Sequence, residues 1–419
     1  MKKLLASLPV ASLSTASLSM SATAQPLEIT PRQCDRPIAS GPSLFVWDAD
    51  NLALTKSRVR SGDTSVKPAM KVLLEAADKA LTQGPYTVTA KTKTPPSGSK
   101  NDYYSIGPYW WPNPKTEDGL PYIRKDGKTN PERYDDSFDS DRMSNFANDV
   151  ESLTLAGYFS GNDAYSKKAA ELLRTWFISP ETKMNPNLNF AQAVPGKSDG
   201  RGIGIIDTYR FVRVVDSIGL LSHSKHLSIA ELNTLKDWFA DYSRWMLTSK
   251  NGKESRSKLN NHGVFFDAQL GIFATFAGDS SAVKFVIDGI KKSRIPGQIN
   301  KKGQLPLELK RTRAFHYTAF TIQAFFDVAD LGECAGIDLW NYETFRGQGL
   351  KAAMDFQTGY AGRQKAWPYK EIRAINPHGF YRNLRRAAQA YDDPSYKKAM
   401  THYDSKYKDD LSVLLYPMR

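Results

Sequence analysis

The sequence predicts an all-α chain: an α/α toroid with long aromatic-rich loops over a cleft. Three observations point there. From Val66 onward, apolar residues recur at helical spacing through about a dozen segments. The joining stretches hold Pro, Gly or Asn, as at Ser179-Pro180 and Gly252, which suits helical hairpins in antiparallel succession. Apolar–polar alternation of the kind that marks half-buried strands is scarce. Closing such hairpins into a ring gives a toroid, and leaving them open gives a bundle with the same periodicity.

The N-terminus decides the compartment. Lys2 and Lys3 precede an apolar and small-residue stretch from Leu4 to Ala22, closed by Ala22-Thr23-Ala24. That is the pattern of a secretory signal peptide over 1–24, so 25–419 is expected as a single domain, periplasmic or secreted. No later stretch approaches the ~18 consecutive apolar residues that a spanning helix needs. The formal net charge is +13, and loss of Lys2 and Lys3 leaves +11. A basic exported chain fits an anionic polysaccharide better than nucleic acid or a membrane. Cys34 and Cys334 could form one disulfide or remain two buried thiols. With no Cys/His cluster, neither a metal nor a cofactor is expected.

Residues 25–64 carry no sustained period and read as an irregular lead-in. Val66–Leu81 reads as a helix through Met70, Val72, Leu73, Ala76 and Leu81. Residues 84–135, rich in Pro, Gly, Tyr, Trp, Lys and Asp, form an irregular insert, and a loop of that length is usually functional. Helices are expected near 139–160, 164–177, 203–222, 228–248, 259–278, 281–293, 308–331, 345–358, 378–391 and 394–404. The acidic run from Asp135 to Asp141 lacks the central Gly and terminal Glu of a calcium loop and reads as a solvated helix cap.

Four constellations could carry chemistry. Tyr103, Tyr104, Tyr109, Trp110 and Trp111 crowd a stretch of turn formers, and flat aromatic faces stack on sugar rings. Asn189 and Gln192 lie in Met-Asn-Pro-Asn-Leu-Asn-Phe-Ala-Gln, where loop amides suit hydroxyl and carboxylate recognition. Arg201 follows, ahead of Gly202 and Gly204, and joins the candidate substrate-binding set. That Gly pair reads as a helix start, because a dinucleotide fingerprint needs a third Gly and a preceding strand. Asn260-Asn261-His262-Gly263 puts an amide and an imidazole at a helix N-terminus, a natural carboxylate site. Finally, Glu308-Leu309-Lys310-Arg311-Thr312-Arg313 runs into Tyr317. Arg313 lies four residues before Tyr317 and would share its helix face. Arg311 reaches Tyr317 only if it sits at the helix entrance.

Taken in order, the Tyr-Trp-Trp-Pro loop, the Asn-rich loop, Asn-Asn-His and Leu-Glu-Leu-x-Arg ahead of Tyr317 resemble the alginate lyase superfamily, polysaccharide lyase families five and thirty-eight. The resemblance covers roughly 100 to 375. It implies an α/α toroid with a long cleft and a metal-independent lyase. It places the family's Asn-His pair on Asn261 and His262, its catalytic Tyr on Tyr317 and its Arg on Arg311. The Arg-to-Tyr spacing is closer to the thirty-eighth family.

The chemistry can be argued separately from the family. Elimination across a 4-linked uronate removes the C5 proton and expels O4. The C5 proton becomes acidic only when the adjacent carboxylate is neutralised or hydrogen-bonded, a role for Asn261 and His262. In mannuronate the C5 proton and O4 share one side of the ring, so one phenol, Tyr317, could act as base and then acid. A tyrosine of ordinary pKa about 10 needs nearby positive charge for this, from Arg311 or Arg313. His262 is the competing base for the opposite C5 configuration. Alternatives are a glucuronan lyase of the same mechanism, a glycoside hydrolase using Glu308 and Asp207, and a non-catalytic glycan-binding protein.

Overall fold

The computed structural model describes residues 43–418. The chain enters through α1 (Ala49–Ser61) and α2 (Lys67–Leu81). The insert follows, with β1 (Tyr104–Ile106), β2 (Trp110–Trp111) and β3 (Ile123–Arg124). Then come α3 (Ser140–Ser160), α4 (Asp163–Leu173), β4 (Phe190–Ala193), α5 (Phe211–Leu221), α6 (Ile229–Thr248), α7 (Lys250–Arg256) and α8 (Asn261–Ala277). The C-terminal part holds α9 (Ser280–Gly289), α10 (Ile295–Gln298), α11 (Pro306–Leu309), α12 (Ala314–Cys334), α13 (Leu350–Thr358), α14 (His378–Ala390), α15 (Pro394–Met400), α16 (Asp404–Tyr407) and α17 (Ser412–Leu415).

Helices α3, α5, α8, α12 and α14 pack each against the next and form the inner layer of an α/α toroid. Outer helices lie against them: α2 and α4 on α3, α6 and α9 on α8, α13 on α12, and α15 on α14. The chain's two ends meet, because α17 touches α14 and α1, and α1 touches α3. The inner helices are apolar nearly all round, as helices covered on both sides must be. In α8 every residue from Gly263 to Ala274 is buried. Between layers the core is aromatic: Trp176 stacks on Phe146 at 4.7 Å, and Phe177, Phe211, Trp238 and Phe239 meet edge to face or tilted around them. Such pairs contribute about 0.5–1.5 kcal/mol each beyond the area they bury.

Three expectations need correction. The lead-in at 25–64 is not irregular throughout, since α1 lies within it. Its pattern was masked because its buried face mixes Leu52 with Asn51 and Thr55; Asp48 starts it by accepting the Asn51 N–H at 2.7 Å. The acidic run is not wholly solvated either: Asp139 is fully buried and pairs with the buried Lys91 at 3.0 Å. Lys91 also donates to the carbonyls of Val88 and Lys100, so this ion pair fastens the insert to the start of α3. The helix expected over 308–331 is split, with α11 ending at Leu309 and α12 beginning at Ala314. Cys334 is disulfide-bonded. Cys34 and the 1–24 segment lie outside the described residues.

Candidate active site

A cleft of about 1140 Å³ opens where the N-terminal ends of the inner helices converge. Its lining draws on the start of α3 (Met143, Ser144), the approach to α5 (Tyr209, Arg210), the start of α8 (Asn261, His262), the approach to α12 (Arg311, Arg313) and the start of α14 (His378, Gly379). Helix N-termini carry partial positive charge, so five of them facing one space favour an anion. Side chains reinforce this: ten Lys and Arg line the cleft against two carboxylates, Glu151 and Asp207. Both carboxylates are already paired, Glu151 with Arg213 at 2.8 Å and Asp207 with Arg133 at 2.9 Å.

Asn260 caps α8, its side chain accepting the His262 N–H at 3.2 Å. Gly263 is required next, because a Cβ there would lie 2.0 Å from the Lys258 carbonyl. Behind this turn the buried Arg294 donates to the carbonyls of Arg256 and Lys258 and to Asp267, making it rigid. Asn261 is buried and His262 half-buried. Burial, with help from Arg311 and Arg201, pushes the His262 imidazole down to about 3, so it is neutral at ordinary pH. Its Nδ1 is buried without a hydrogen-bond partner.

Tyr317 faces the same cleft from the first turn of α12. The Arg311 guanidinium lies over its ring, 3.7 Å from the centroid, and its hydroxyl meets that of Tyr109 at 2.5 Å. Arg311 sits in the turn ahead of α12, as an entrance residue would, and is held from behind by Asp126 at 2.9 Å. Burial pushes the Tyr317 phenol well above its ordinary value, Tyr109 adds to this, and Arg311 opposes it. Arg313 also lines the cleft, but it is the N-cap of α12 with extended φ, and its backbone pairs with Glu371. It therefore does not share a helix face with Tyr317, which corrects that expectation.

Residues 87–367 match the family model for alginate lyase. The chain belongs to the alginate lyase family. It is a polysaccharide lyase. It is similar to an alginate lyase from Bacteroides ovatus, 36% identical over 90% of this chain and 100% of that one, with a TM-score of 0.86. Alginate lyase A1-III from Sphingomonas species A1 has a similar fold at 14% identity, covering 88% of this chain and 95% of that one, with a TM-score of 0.59. A variant of A1-III complexed with tetrasaccharide is 16% identical, covering 88% and 94%, with a TM-score of 0.57. No curated protein matches the chain.

In this alginate lyase family member the other candidates scatter. Gln192, Trp110 and Arg201 line the cleft. Gln192 has φ 49, a strained value for a non-glycine residue, and its amide donates to Asp207 at 2.7 Å. Arg201 donates to the Gln192 carbonyl at 2.8 Å and lies over Trp110, and burial pushes its guanidinium down to about 10. Four candidates do not line it. Tyr103 is fully buried, its hydroxyl donating to Asp207 at 3.0 Å, so it supports the floor and offers no sugar platform. Tyr104 packs edge-on against Phe138. The Trp111 indole donates to the Lys128 carbonyl on the outer side of the loop. Asn189 is exposed beside Trp245, whose indole donates to it at 3.0 Å.

The two carboxylates weighed for a hydrolase are not free. Asp207 accepts from Tyr103, Ser105, Gln192 and Arg133. Glu308 is buried and bonded to Asn261. Sequence reasoning missed the roles of Tyr109, lost among its aromatic neighbours, and of Asp126, an acidic residue in a polar loop that carried no signal. His316, stacked on Phe320 and pushed by burial down to about 4, was also missed. Among the described residues no three His, Cys, Asp or Glu side chains gather as metal ligands, and no helix is long and apolar enough to cross a membrane.

Proposed function

We propose that this chain is exported and cleaves a 4-linked uronate polymer, mannuronate-rich alginate foremost, by metal-independent β-elimination to 4,5-unsaturated ends. One observation carries the reading. A phenol with a guanidinium against its ring and a neutral imidazole beside an amide line one cation-rich cleft.

In this reading the uronate carboxylate sits against Asn261 and His262, whose hydrogen bonds let charge accumulate on it as C5 gives up its proton. Tyr317, as phenolate, takes that proton. The C5–H electron pair becomes the C4–C5 double bond, and the C4–O4 bond breaks with its pair on O4. Tyr317 then returns the proton to O4 and is a phenolate again. Arg311 opposes the rise that burial imposes on the phenol and so increases the phenolate fraction. Trp110, Arg201 and Gln192 bind neighbouring sugars.

A second reading has specific support. A neutral His262 in the lining of the cleft suits a base for guluronate, whose C5 proton lies on the other side of the ring.

The test is a panel of polymannuronate, polyguluronate, glucuronan and hyaluronan, followed by ultraviolet absorbance and product mass, with and without a chelator. Unsaturated products, fastest from polymannuronate and unchanged by chelator, are expected. New reducing ends without unsaturation would overturn elimination, and loss of activity with chelator would overturn metal independence.

A further inference from the structure

Glu308 has no part in the proton transfer above, yet it is the side chain in closest contact with the residue expected to quench the sugar's charge. It lies in α11, is 2% exposed, and does not line the cleft. Its Oε1 accepts from the Asn261 backbone N–H at 2.7 Å and from Asn261 Nδ2 at 3.0 Å. Its Oε2 accepts from the same Nδ2 at 2.9 Å.

These bonds do two things. The first N–H of a helix has no partner within it, and Glu308 supplies one from another element, where the N-terminal partial charge of α8 also favours a carboxylate. A carboxylate without its proton can only accept, so it must face the amide nitrogen and never the amide oxygen. Glu308 thereby fixes both the plane and the polarity of the Asn261 side chain, which an isolated asparagine would leave free to turn over. The same residue reaches the other half of the site through its main chain, since the Glu308 carbonyl accepts the Arg311 N–H at 3.0 Å.

We propose that Glu308 is the positioning residue of this site. By holding one hydrogen of Asn261 Nδ2 it leaves the other to donate to the uronate carboxylate, and it keeps the Asn261–His262 turn in register with the turn that carries Arg311. This rests on the elimination reading for the role of Asn261. Because Glu308 would act where charge develops and not where the polymer is gripped, its loss should appear in kcat far more than in KM.

The experiment compares Glu308→Gln, Asn261→Ala and the double variant on polymannuronate, with a thermal melt of each. Glu308→Gln keeps the size and one acceptor but removes the accept-only constraint. The expected result is a kcat lowered about 10- to 100-fold with KM within about threefold. In the Asn261→Ala background the same change should lower kcat several-fold less, because there is no amide left to aim and only the contact with the Asn261 backbone N–H remains. Glu308→Asp, which keeps the charge and shortens the reach, serves if the Gln variant does not fold, with the same split and the same non-additivity expected. Two results overturn the inference: an unchanged kcat in the folded Glu308 variant, or a full and additive loss on top of Asn261→Ala. Full activity in Asn261→Ala alone would instead remove Asn261 from the elimination reading, and products without unsaturation would overturn that reading itself, so these failures are distinguishable.

Discussion

The cleft has two kinds of wall, and they differ in how the chain builds them. One wall is made by the starts of α8 and α12, where a few polar residues enter long apolar helices. Asn261, His262 and Tyr317 all arrive in the same space there, because a helix fixed in the core dictates where its first turn points. The other wall is the 84–135 insert, and its five clustered aromatics divide among three destinations. Tyr103 goes to the core, Tyr104 and Trp111 to the outside of the cleft, and Tyr109 and Trp110 into it. A helix entrance preserves the direction implied by spacing. A loop with no period can send neighbouring side chains anywhere its hydrogen bonds allow.

That contrast can be broken by substitution. Beyond the phenol itself, the largest losses should come from the helix entrances. His262→Ala should lower kcat by about 100- to 1000-fold with a smaller change in KM, read from initial rates of unsaturated product. An effect confined to KM would make His262 a binding residue only.

Within the loop the outcome should depend on which way each ring points. Trp110→Ala should raise KM about 2- to 10-fold, the usual worth of an aromatic contact, while Trp111→Ala leaves KM within about twofold. Equal effects would erase the distinction between the two rings.

Tyr103→Phe should leave kcat and KM nearly unchanged but destabilise the fold by about 1–2 kcal/mol in denaturant unfolding, because the buried Asp207 loses a hydrogen-bond donor. A large KM change would restore Tyr103 as a sugar contact.

The smallest effect concerns acid. His262 is held down to about 3 by burial and the nearby Arg311 and Arg201, so it stays neutral above roughly pH 4 and contributes no acid limb there. The Tyr317 phenol lies above its ordinary value, so its phenolate fraction grows with pH, and kcat should rise from about pH 7 to 9. A bell centred below pH 7 would contradict both assignments.

The helical toroid was legible because apolar spacing of the helical kind survives in nearly every inner and outer helix, from Val66–Leu81 to the 378–391 segment. What escaped notice had a physical reason. In α1 the buried face is partly polar, so Asn51 and Thr55 hid the period. Asp139 looked like solvent-facing acid because its partner, Lys91, lies far back in the sequence. At the site, Arg311 was legible as a helix-entrance residue, whereas the face shared by Arg313 and Tyr317 failed because α12 begins one residue after Arg313. Glu308 was read only as one of two carboxylates for a hydrolase, and nothing in the spacing revealed that Asn261 was its partner.

The central claim is that one phenol moves one proton while an amide and an imidazole hold the sugar's charge. It is tested most directly by mixing Tyr317→Phe with polymannuronate and recording, on the same sample, product absorbance and bound polymer. The account predicts polymer binding close to that of the native chain, with unsaturated product formed about 1000-fold more slowly or not at all. Product appearing at the native rate would contradict it.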